Sequence, residues 1–354
     1  MPSKNLPIVV LGGSGYVAGE LVRLLVQHPH FDVSAVVSAS AAGEPIAKTF
    51  PHLAPALGDQ TFASQDEAKE LLRTKRTIGL FSALPHGEAA AMLADWIASA
   101  ESAGCELKVV DLSSDFRYKS AADYEAVYKK PHGAPHVLDR FECALPDIPG
   151  PAPDTNYLAH PGCFTTSVVL AITPLLTHGF VEPSIVVTAI TGSTGAGRQP
   201  REGTHHPERH GGLWAYEPLR HRHQPEMENL AAISGTRPNL AFIPHSGPFS
   251  RGIHASIVAD LKTDADEAAI VAAVKEYYKG TPFVQVRSNF PSVKDVAGTN
   301  MAHMAIRRQG DKLFVASVID NLTKGAAGGG VQWMNMLFAF DRAEGLRLPG
   351  MGWA

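Results

Sequence analysis

The chain has 354 residues, of which 45% are hydrophobic and 19% are charged. This composition is typical of a soluble globular protein, and the length predicts about two domains. The net charge is −4, whereas proteins that bind nucleic acids are usually basic, so no nucleic-acid partner is expected. No apolar run approaches the roughly 18 residues of a membrane span. The three cysteines (Cys105, Cys143 and Cys163) are irregularly placed and odd in number. They argue against a disulfide framework, so we expect a reducing, cytoplasmic location.

The start of the chain predicts a strand, a glycine-rich turn and a helix. Ile8–Leu11 is wholly apolar, as expected of a buried parallel strand. Gly13, Gly15 and Ala18 then fit the pattern G-x-G-x-x-A at the start of a helical run. Glycines at these positions let the backbone approach a pyrophosphate, which binds the helix N-terminus. The residues expected to contact a dinucleotide here are Gly13, Ser14, Gly15, Tyr16 and Val17.

The second predicted strand favours NADP over NAD. An acid that binds the NAD ribose lies at the carboxyl end of this strand. Asp32 instead opens the strand Asp32–Val37, and its carboxyl end carries Ser38 and Ser40. Small hydroxyl groups can receive a 2′-phosphate, which a carboxylate would repel. We therefore predict NADP with Ser38 and Ser40 beside it; the alternative is that both serines are ordinary loop residues.

Two further strands, Thr77–Ala83 and Leu107–Leu112, alternate with helical runs. This order predicts a Rossmann-type, doubly wound parallel sheet, in which ligands bind at the carboxyl ends of the strands. Leu84 and Pro85 are therefore expected to contact the cofactor. The guanidinium of Arg117 is expected to bind a carboxylate or phosphate through two parallel hydrogen bonds; the alternative is a surface salt bridge.

A shift in composition at Pro146–Pro153 predicts a domain boundary. We assign residues 1–157 and 321–354 to the NADP-binding domain, with a final helix that returns to it. Residues 158–320 are expected to form an α+β catalytic and dimerisation domain with an antiparallel sheet. A helix from Glu267 to Tyr278 is capped by Asp264 or Asp266. An extensive sheet in this domain favours a homodimer or homotetramer.

Cys163 is the strongest candidate for a catalytic residue. The turn Pro161-Gly162 precedes it and the apolar helical run Val168–Leu176 follows it, so Cys163 is expected in the first turn of a helix. Unpaired N–H groups and the helix dipole lower the pKa of a thiol there and can hold an oxyanion. The sequence therefore predicts a nucleophile; the alternative is a small buried cysteine in a core helix.

Two polar segments follow. Thr191–Arg198 is rich in glycine and can bring backbone close to a ligand, while Arg198 supplies charge; the alternative is a flexible surface loop. Histidines then crowd the chain at positions His205, His206, His210, His221 and His223. Their spacing does not fit a zinc motif, so no metal is predicted. A histidine that serves Cys163 as acid and base is expected, because its unperturbed pKa lies near neutrality; a solvated basic loop is the alternative.

Six ordered motifs resemble the N-acetyl-γ-glutamyl-phosphate reductase family, within the aspartate-semialdehyde dehydrogenase-like group. They are Gly12–Tyr16, Asp111–Arg117, Pro161–Phe164, Gly195–Arg198, His221–Glu226 and Asp320–Ala327. The resemblance implies NADPH-dependent reduction of N-acetylglutamyl 5-phosphate to the semialdehyde and phosphate through a cysteine thioester, in arginine biosynthesis. It implies that Cys163 is the nucleophile and His221 the acid/base, with His223 as the alternative. It implies further contacts with the substrate (Arg117, Thr191, Gly192, Arg198 and His223) and with the nicotinamide (Asn321 and Gly325).

Three other functions stay open at this point. Three segments, His205–Arg209, Ala83–Gly87 and Gly298–Asn300, resemble reductases of carrier-protein-linked aminoadipyl or glutamyl phosphate, which serve lysine or arginine synthesis. A basic loop would suit the acidic carrier protein of those enzymes. Pro161–Phe164 resembles the enzymes of the free substrate, which we expect here. The second alternative is an aspartate-semialdehyde dehydrogenase, which belongs to the same group of enzymes. The third is a redox-sensing NADPH-binding protein, a function that would leave the candidate arginines and histidine without a role.

Overall fold

The computed structural model describes residues 6–151 and 153–352. Its strands are, in chain order, β1 (Leu6–Leu11), β2 (Phe31–Val37), β3 (Thr77–Ser82), β4 (Glu106–Asp111), β5 (Phe141–Cys143), β6 (Tyr157–Ala159), β7 (Val181–Thr191), β8 (Trp214–Ala215), β9 (Asn239–Ser246), β10 (Ile253–Leu261), β11 (Val284–Val286), β12 (Ala302–Gln309) and β13 (Lys312–Ile319). Its α-helices are α1 (Tyr16–Leu25), α2 (Ile46–Thr49), α3 (Ala54–Leu57), α4 (Gln65–Lys69), α5 (Leu71–Thr74), α6 (Ala89–Ala103), α7 (Ala121–Tyr128), α8 (Cys163–Thr177), α9 (His206–Arg209), α10 (His223–Ala231), α11 (Glu267–Tyr277) and α12 (Gly328–Leu337). Among the described residues, no helix is long and apolar enough to cross a membrane.

These elements form two compact units. The first contains the chain up to Ala144, the segment that ends at His160, and Ala326–Arg347. The second contains Leu145–Pro151, Pro161–Gly325 and the residues from Leu348 onward.

The bounds of these units differ from the predicted division at 157/158 and 320/321. Leu145–Pro151 belongs to the second unit. Asp147 in this segment gives the physical reason, because its carboxylate forms an ion pair with Lys324 of the same unit and both side chains are fully buried. A pairing between residues 177 positions apart leaves no signal in local composition.

The first unit is built on a six-stranded sheet in the order β2-β1-β3-β4-β6-β5. All of its strand pairs are parallel. Ile8–Leu11 of β1 and Ile78–Ser82 of β3 are buried throughout, as a sheet covered on both faces requires. α6 and α12 pack against β4, and α1 packs against β1 and β2. The predicted Rossmann-type parallel sheet is confirmed.

The second unit is built on a seven-stranded sheet in the order β11-β12-β13-β10-β7-β9-β8. β10 is antiparallel to both β7 and β13, whereas the pairs β7–β9 and β11–β12 are parallel. The sheet is therefore mixed, and the prediction of an antiparallel sheet was wrong at those two pairs. The chain between Thr191 and Asn239 includes α10 and makes the crossover that a parallel neighbour requires.

α8 and α11 share the apolar core of this second sheet. α8 is buried from Phe164 to Leu176 and packs against β7, β10 and β13. The hydroxyl of Tyr278, which follows α11, donates to the carbonyl of Leu170 in α8 at 2.5 Å. α11 begins at the cap Asp266, whose carboxylate accepts from the N–H of Ala269, which decides between the two predicted caps.

A π-helical turn precedes the last helix. Thr323–Ala327 form a π-helical turn, and the α-helix α12 starts only at Gly328. π-Helical turns widen the backbone and are frequent at functional sites.

Asp111, the last residue of β4, is a fully buried carboxyl group. The N–H and hydroxyl of Ser113 donate to its two oxygens at 3.0 and 2.7 Å. Burial raises the pKa of Asp111 to about 6, and the negative charge of Asp115 acts in the same direction. The hydrogen bonds from Ser113 lower the pKa but do not offset the effect of burial.

Asp111→Asn is expected to change how stability depends on pH. Because the folded-state pKa of Asp111 lies above its unfolded value, the wild type gains stability as the pH falls through 6 toward 4. The variant lacks this gain, which is at most about 3 kcal/mol, since a tenfold change in proton affinity corresponds to about 1.4 kcal/mol. Urea denaturation of both proteins between pH 4 and 8 measures it, with the exposed Asp59→Asn as control. Parallel pH profiles for wild type and Asp111→Asn would contradict the expectation.

Candidate active site

The glycine loop of the first unit joins β1 to α1. Gly12 has a φ of 78°, and a Cβ there would lie 2.6 Å from the carbonyl oxygen of Ala83. Gly13 donates its N–H to the carbonyl of Val37 at 2.8 Å, and a Cβ would again clash. A Cβ on Gly15 would meet only the Gly12 oxygen at 3.7 Å, an ordinary contact. The fold therefore requires the first two glycines, whereas Gly15 leaves open space before α1.

The other residues of the first unit that were predicted to contact the dinucleotide lie around this loop. Ser14 and Val17 are half-buried, and Tyr16 is 38% exposed. Leu84 and Pro85 follow β3, the strand beside β1, and the Leu84 nitrogen would lie 2.9 Å from a Cβ on Gly12. All of them are at the carboxyl edge of the sheet, where ligands of such folds bind.

The end of β2 carries the two serines. Ser38 follows β2 directly, is buried, and donates its N–H to the carbonyl of Ala63 at 3.2 Å, while Ser40 is exposed. Asp32 pairs with Pro7 at the opposite, amino edge of the sheet. The carboxylate is thus at the wrong edge to hold a ribose at the glycine loop.

A buried carboxylate joins the loops that follow β3 and β4. Asp115 accepts from the N–H groups of Gly87 and Ala90 at 2.7 and 3.0 Å. Close by, Arg117 donates from Nε to the carbonyl of His160 at 3.2 Å and from Nη2 to that of Leu112 at 3.3 Å. These bonds hold the half-buried guanidinium of Arg117 against the end of β4.

In the second unit, Cys163 is the first residue of α8, as predicted, and is half-buried. Gly162 before it is extended, with φ −63° and ψ 157°. The N–H of Gly162 donates to Oε1 of Glu226 at 2.6 Å, and Glu226 on α10 is only 1% exposed. A buried carboxylate therefore fixes the residue that precedes Cys163 and joins α8 to α10.

Gly325 in the π-helical turn forms one wall beside Cys163. A Cβ on Gly325 would lie 2.6 Å from the Cβ of Cys163 and 3.3 Å from the side chain of Ile319. The N–H of Gly325 donates to the carbonyl of Asp320 at 2.9 Å. Only a residue without a side chain fits against the cysteine here.

His221 lies two residues before the start of α10 and is buried among aromatic rings. Its ring centroid lies 5.6, 5.5 and 5.5 Å from those of Phe164, Tyr216 and Phe242. Its Nδ1 accepts from the N–H of His223 at 3.1 Å, so the neutral ring carries its proton on Nε2. Burial, assisted by the charge of Arg222, lowers the pKa of His221 to about 4. The expectation of a pKa near neutrality therefore does not hold for His221, since a charged ring would lose its hydration here.

Tyr216 is coupled electrostatically to the cysteine. Burial raises the pKa of its hydroxyl, and the negative charge of a Cys163 thiolate raises it further. The hydroxyl therefore stays protonated at neutral pH.

The loop after β7 is held by backbone bonds. Gly192 donates its N–H to the carbonyl of Gly252 at 2.9 Å, and a Cβ on it would lie 2.5 Å from the carbonyl oxygen of Ser250. Asn321 bridges the same loops, since its Nδ2 donates to Thr194 Oγ1 at 3.0 Å and its Oδ1 accepts from the Gly252 N–H at 2.7 Å. Thr191 before this loop is buried, whereas Arg198 after it is exposed.

Asp320 holds these loops together. Its fully buried carboxylate accepts from Nε and Nη2 of Arg251 at 2.9 and 3.2 Å. It also accepts from the N–H groups of Gly298, Leu322 and Thr323 at 2.7 to 2.9 Å.

The remaining histidines do not converge. His205, His206 and His210 are exposed, and the described part of the chain contains no group of three or more metal-ligating side chains.

Both units match known protein families. A family model described as the NAD binding domain of semialdehyde dehydrogenase matches residues 7–145, and one described as the semialdehyde dehydrogenase dimerisation domain matches residues 163–321. N-acetyl-gamma-glutamyl-phosphate reductase of Marinobacter nauticus is 36% identical, over 98% of this chain and 99% of that protein. The enzyme of that name from Nitrosococcus oceani is 37% identical, over 95% of this chain and 96% of its own.

The chain belongs to the N-acetyl-γ-glutamyl-phosphate reductase family. This confirms the family to which the six motifs pointed, and with it an oxidoreductase of the semialdehyde dehydrogenase group.

Solved structures share this family's fold at low identity. Aspartate semialdehyde dehydrogenase II from Vibrio cholerae, complexed with ASA, superposes with a TM-score of 0.68 at 17% identity, and covers 95% of this chain and 99% of its own. The Candida albicans enzyme with NADP gives a TM-score of 0.64 at 16% identity, and covers 94% of this chain and 98% of its own.

Sequence reasoning for this reductase missed Glu226, Tyr216 and Asp320 as parts of the site. Glu226 and Asp320 lie inside motifs that pointed to the family, so a search for acids at fixed offsets from the named histidine and asparagine would have found them. Tyr216 lies in an irregular, polar stretch and carries no such signal.

Gly325→Ala is expected to displace Cys163. The added methyl group would lie well inside van der Waals distance of the cysteine, and overpacking of this kind costs about 1–3 kcal/mol. We expect a lower melting temperature and an altered rate of Cys163 alkylation by iodoacetamide. Gly150→Ala is the matched control, because a Cβ on Gly150 meets nothing within 4 Å. An alkylation rate unchanged from wild type would contradict the assigned contact.

Proposed function

We propose that this chain reduces N-acetyl-L-glutamyl 5-phosphate to N-acetyl-L-glutamate 5-semialdehyde and phosphate with NADPH, in arginine biosynthesis. The observation that carries the proposal is the place of Cys163 at the start of α8, in a chain that aligns end to end with enzymes named for this reaction. A free acyl phosphate is the substrate class. Cys105, Cys143 and Cys163 are thiols and not members of a disulfide, which suits a reducing cytoplasm.

The first unit suits NADP. The open backbone at Gly15 and the exposed start of α1 offer room and N–H groups for a pyrophosphate. Ser38 and Ser40 would receive the 2′-phosphate at an edge from which Asp32 is absent. When bound, NADPH supplies a hydride for the carbonyl carbon of the acyl group.

Cys163 acts as the nucleophile in this proposal. Its thiolate attacks the acyl carbon, a C–S bond forms, the C–O bond to phosphate breaks, and phosphate leaves as the anion. Reduction of the thioester gives a thiohemiacetal oxyanion, which the first N–H groups of α8 can hold. Its collapse breaks the C–S bond and returns the thiolate and the aldehyde.

His221 is the acid/base in preference to His223. Its Nδ1 accepts the backbone N–H of His223, so Nε2–H is the group that can donate to an oxygen of the substrate. Its low pKa keeps the ring neutral at physiological pH, which favours hydrogen-bond donation from Nε2 over permanent charge. The substrate contacts proposed for Arg117, Thr191, Gly192, Arg198 and His223, and the nicotinamide contacts of Asn321 and Gly325, complete this assignment.

A carrier-linked acyl phosphate is the second candidate substrate. The exposed histidines of the segment His205–His210 favour it, since they could meet an acidic carrier protein. The family model named as a dimerisation domain supports a homo-oligomer, a dimer or a tetramer, in either case.

Phosphate-dependent reduction of NADP by N-acetylglutamate semialdehyde is the decisive assay. We expect turnover by wild type only when phosphate is present, and none by Cys163→Ser. Cys105→Ser is the matched control and should retain activity, because Cys105 precedes β4 at the amino edge of the parallel sheet, opposite the edge where ligands of such folds bind. No turnover by a folded, NADPH-binding wild type would overturn the free substrate and direct the assay to a carrier-linked aldehyde. Loss of NADPH binding on peroxide treatment, without any phosphate-dependent turnover, would instead indicate a redox sensor.

His221→Asn and His223→Asn separate the two histidines in the same assay. We expect His221→Asn to lower kcat by about 10²–10⁴-fold, the usual contribution of a general acid or base. His223→Asn keeps the backbone N–H that orients His221, so its effect on kcat should be smaller. The opposite ranking would exchange the two roles.

A further inference from the structure

Arg209, the last residue of α9, is a buried cation in the second unit with an exposed fraction of 9%. Its Nη1 donates to Oγ of Ser246 at 3.0 Å, and its guanidinium lies 5.0 Å from the ring centroid of Trp214. Its Nε and Nη2 are buried, and neither has an acceptor among residues 6–151 and 153–352. Burial lowers the pKa of Arg209, the direction expected of a cation that has lost its hydration.

The two nitrogens without an acceptor form one edge of the guanidinium. The N–H bonds of Nε and Nη2 point in the same direction, and this fork matches the two oxygens of a carboxylate. Burying a charge without a counter-charge costs free energy. An anion bound at this edge of the guanidinium would supply the counter-charge.

The strand register relates Arg209 to the proposed substrate loop. Ser246, which holds Nη1, is the register partner of Thr191 on β7. Thr191 pairs in turn with Ile253 of β10, and Ile253 pairs with Ile319 of β13. These residues form one row across the sheet, and Ile319 and Ser246 are three strands apart, about 14 Å.

Cys163 lies at the other end of this row. Ile253 and Ile319 belong to the apolar cluster that α8 covers, so the row faces α8. Gly325 is within contact distance of both Cys163 and Ile319, which puts the cysteine above Ile319. The row therefore has Cys163 at one end, Arg209 at the other and Thr191 between them.

We propose that Arg209 binds the α-carboxylate of the substrate while Cys163 attacks its acyl phosphate. The inference rests on the proposed function, which gives the substrate an acyl phosphate at one end and a carboxylate at the other. Arg209 is then a specificity-determining residue, and Ser246 and Trp214 are the positioning residues that hold its fork.

A pair of substrates tests this assignment. One is N-acetylglutamate semialdehyde and the other is 4-acetamidobutanal, which has hydrogen in place of the carboxylate. For Arg209→Met we expect the semialdehyde to show a KM that is about 10- to 100-fold higher, the usual effect of losing a charged hydrogen bond, with little change in kcat. The aldehyde that lacks the carboxylate should show the same KM with the variant as with wild type. Arg209→Lys, which keeps the charge without the fork, should lie between them, and Arg201→Met on an exposed arginine is the matched control.

A binding measurement tests the same assignment without turnover. N-acetylglutamate should raise the melting temperature of wild type and of Arg201→Met, because it carries the α-carboxylate. It should leave that of Arg209→Met unchanged. Without ligand, Arg209→Met should melt no lower than wild type, because the substitution removes a buried charge that lacks a counter-charge.

The outcomes separate this inference from the proposed function. Equal losses on both aldehydes, or a melting temperature of Arg209→Met that still rises with N-acetylglutamate, would overturn the role of Arg209 and leave the reductase assignment intact. Absence of turnover by wild type would overturn the free substrate of the proposed function, and the melting experiment would still decide whether Arg209 binds the carboxylate.

Discussion

The loops around Cys163 in the second unit depend on the buried carboxylate of Asp320. It accepts from Arg251 on one side and from three backbone N–H groups on the other. A carboxylate with this many donors is well satisfied although it is fully buried, and removal of one partner from such a network is costly. The π-helical turn that follows brings Gly325 against Cys163, so the environment of the cysteine depends on this network.

Buried polar groups also hold other segments of the candidate site in place. Glu226 holds the residue before Cys163, Asp115 joins two loops of the parallel sheet, and Asn321 bridges the loops near Gly192. Each of these groups ties together segments that are distant in the chain. Hydrogen bonds of this kind add modest net stability, but a broken one leaves a buried group unsatisfied, and this gives the loops one preferred arrangement.

Arg209 is the exception to this pattern. The other buried charged groups described above have partners in the chain, whereas its fork has no acceptor among the described residues. In the proposed function the substrate supplies the missing carboxylate, so binding energy and specificity arise at the same group. The histidines beside it in the chain, His205, His206 and His210, are exposed, whereas Arg209 is buried.

The sequence by itself determined the parallel sheet, the glycine loop before α1 and the start of α8 at Cys163. These features follow from local chemistry: apolar runs, backbone freedom at Gly12, the absence of a side chain at Gly13, and the turn at Pro161-Gly162. The motifs also sufficed to name the family. Only the tertiary structure decided the parallel pairing of β7 with β9, the placement of Leu145–Pro151 in the second unit, the tautomer and low pKa of His221, and the burial of Arg209. Each of these depends on contacts between residues far apart in the chain or on burial, and neither burial nor a distant partner is encoded in the residues on either side.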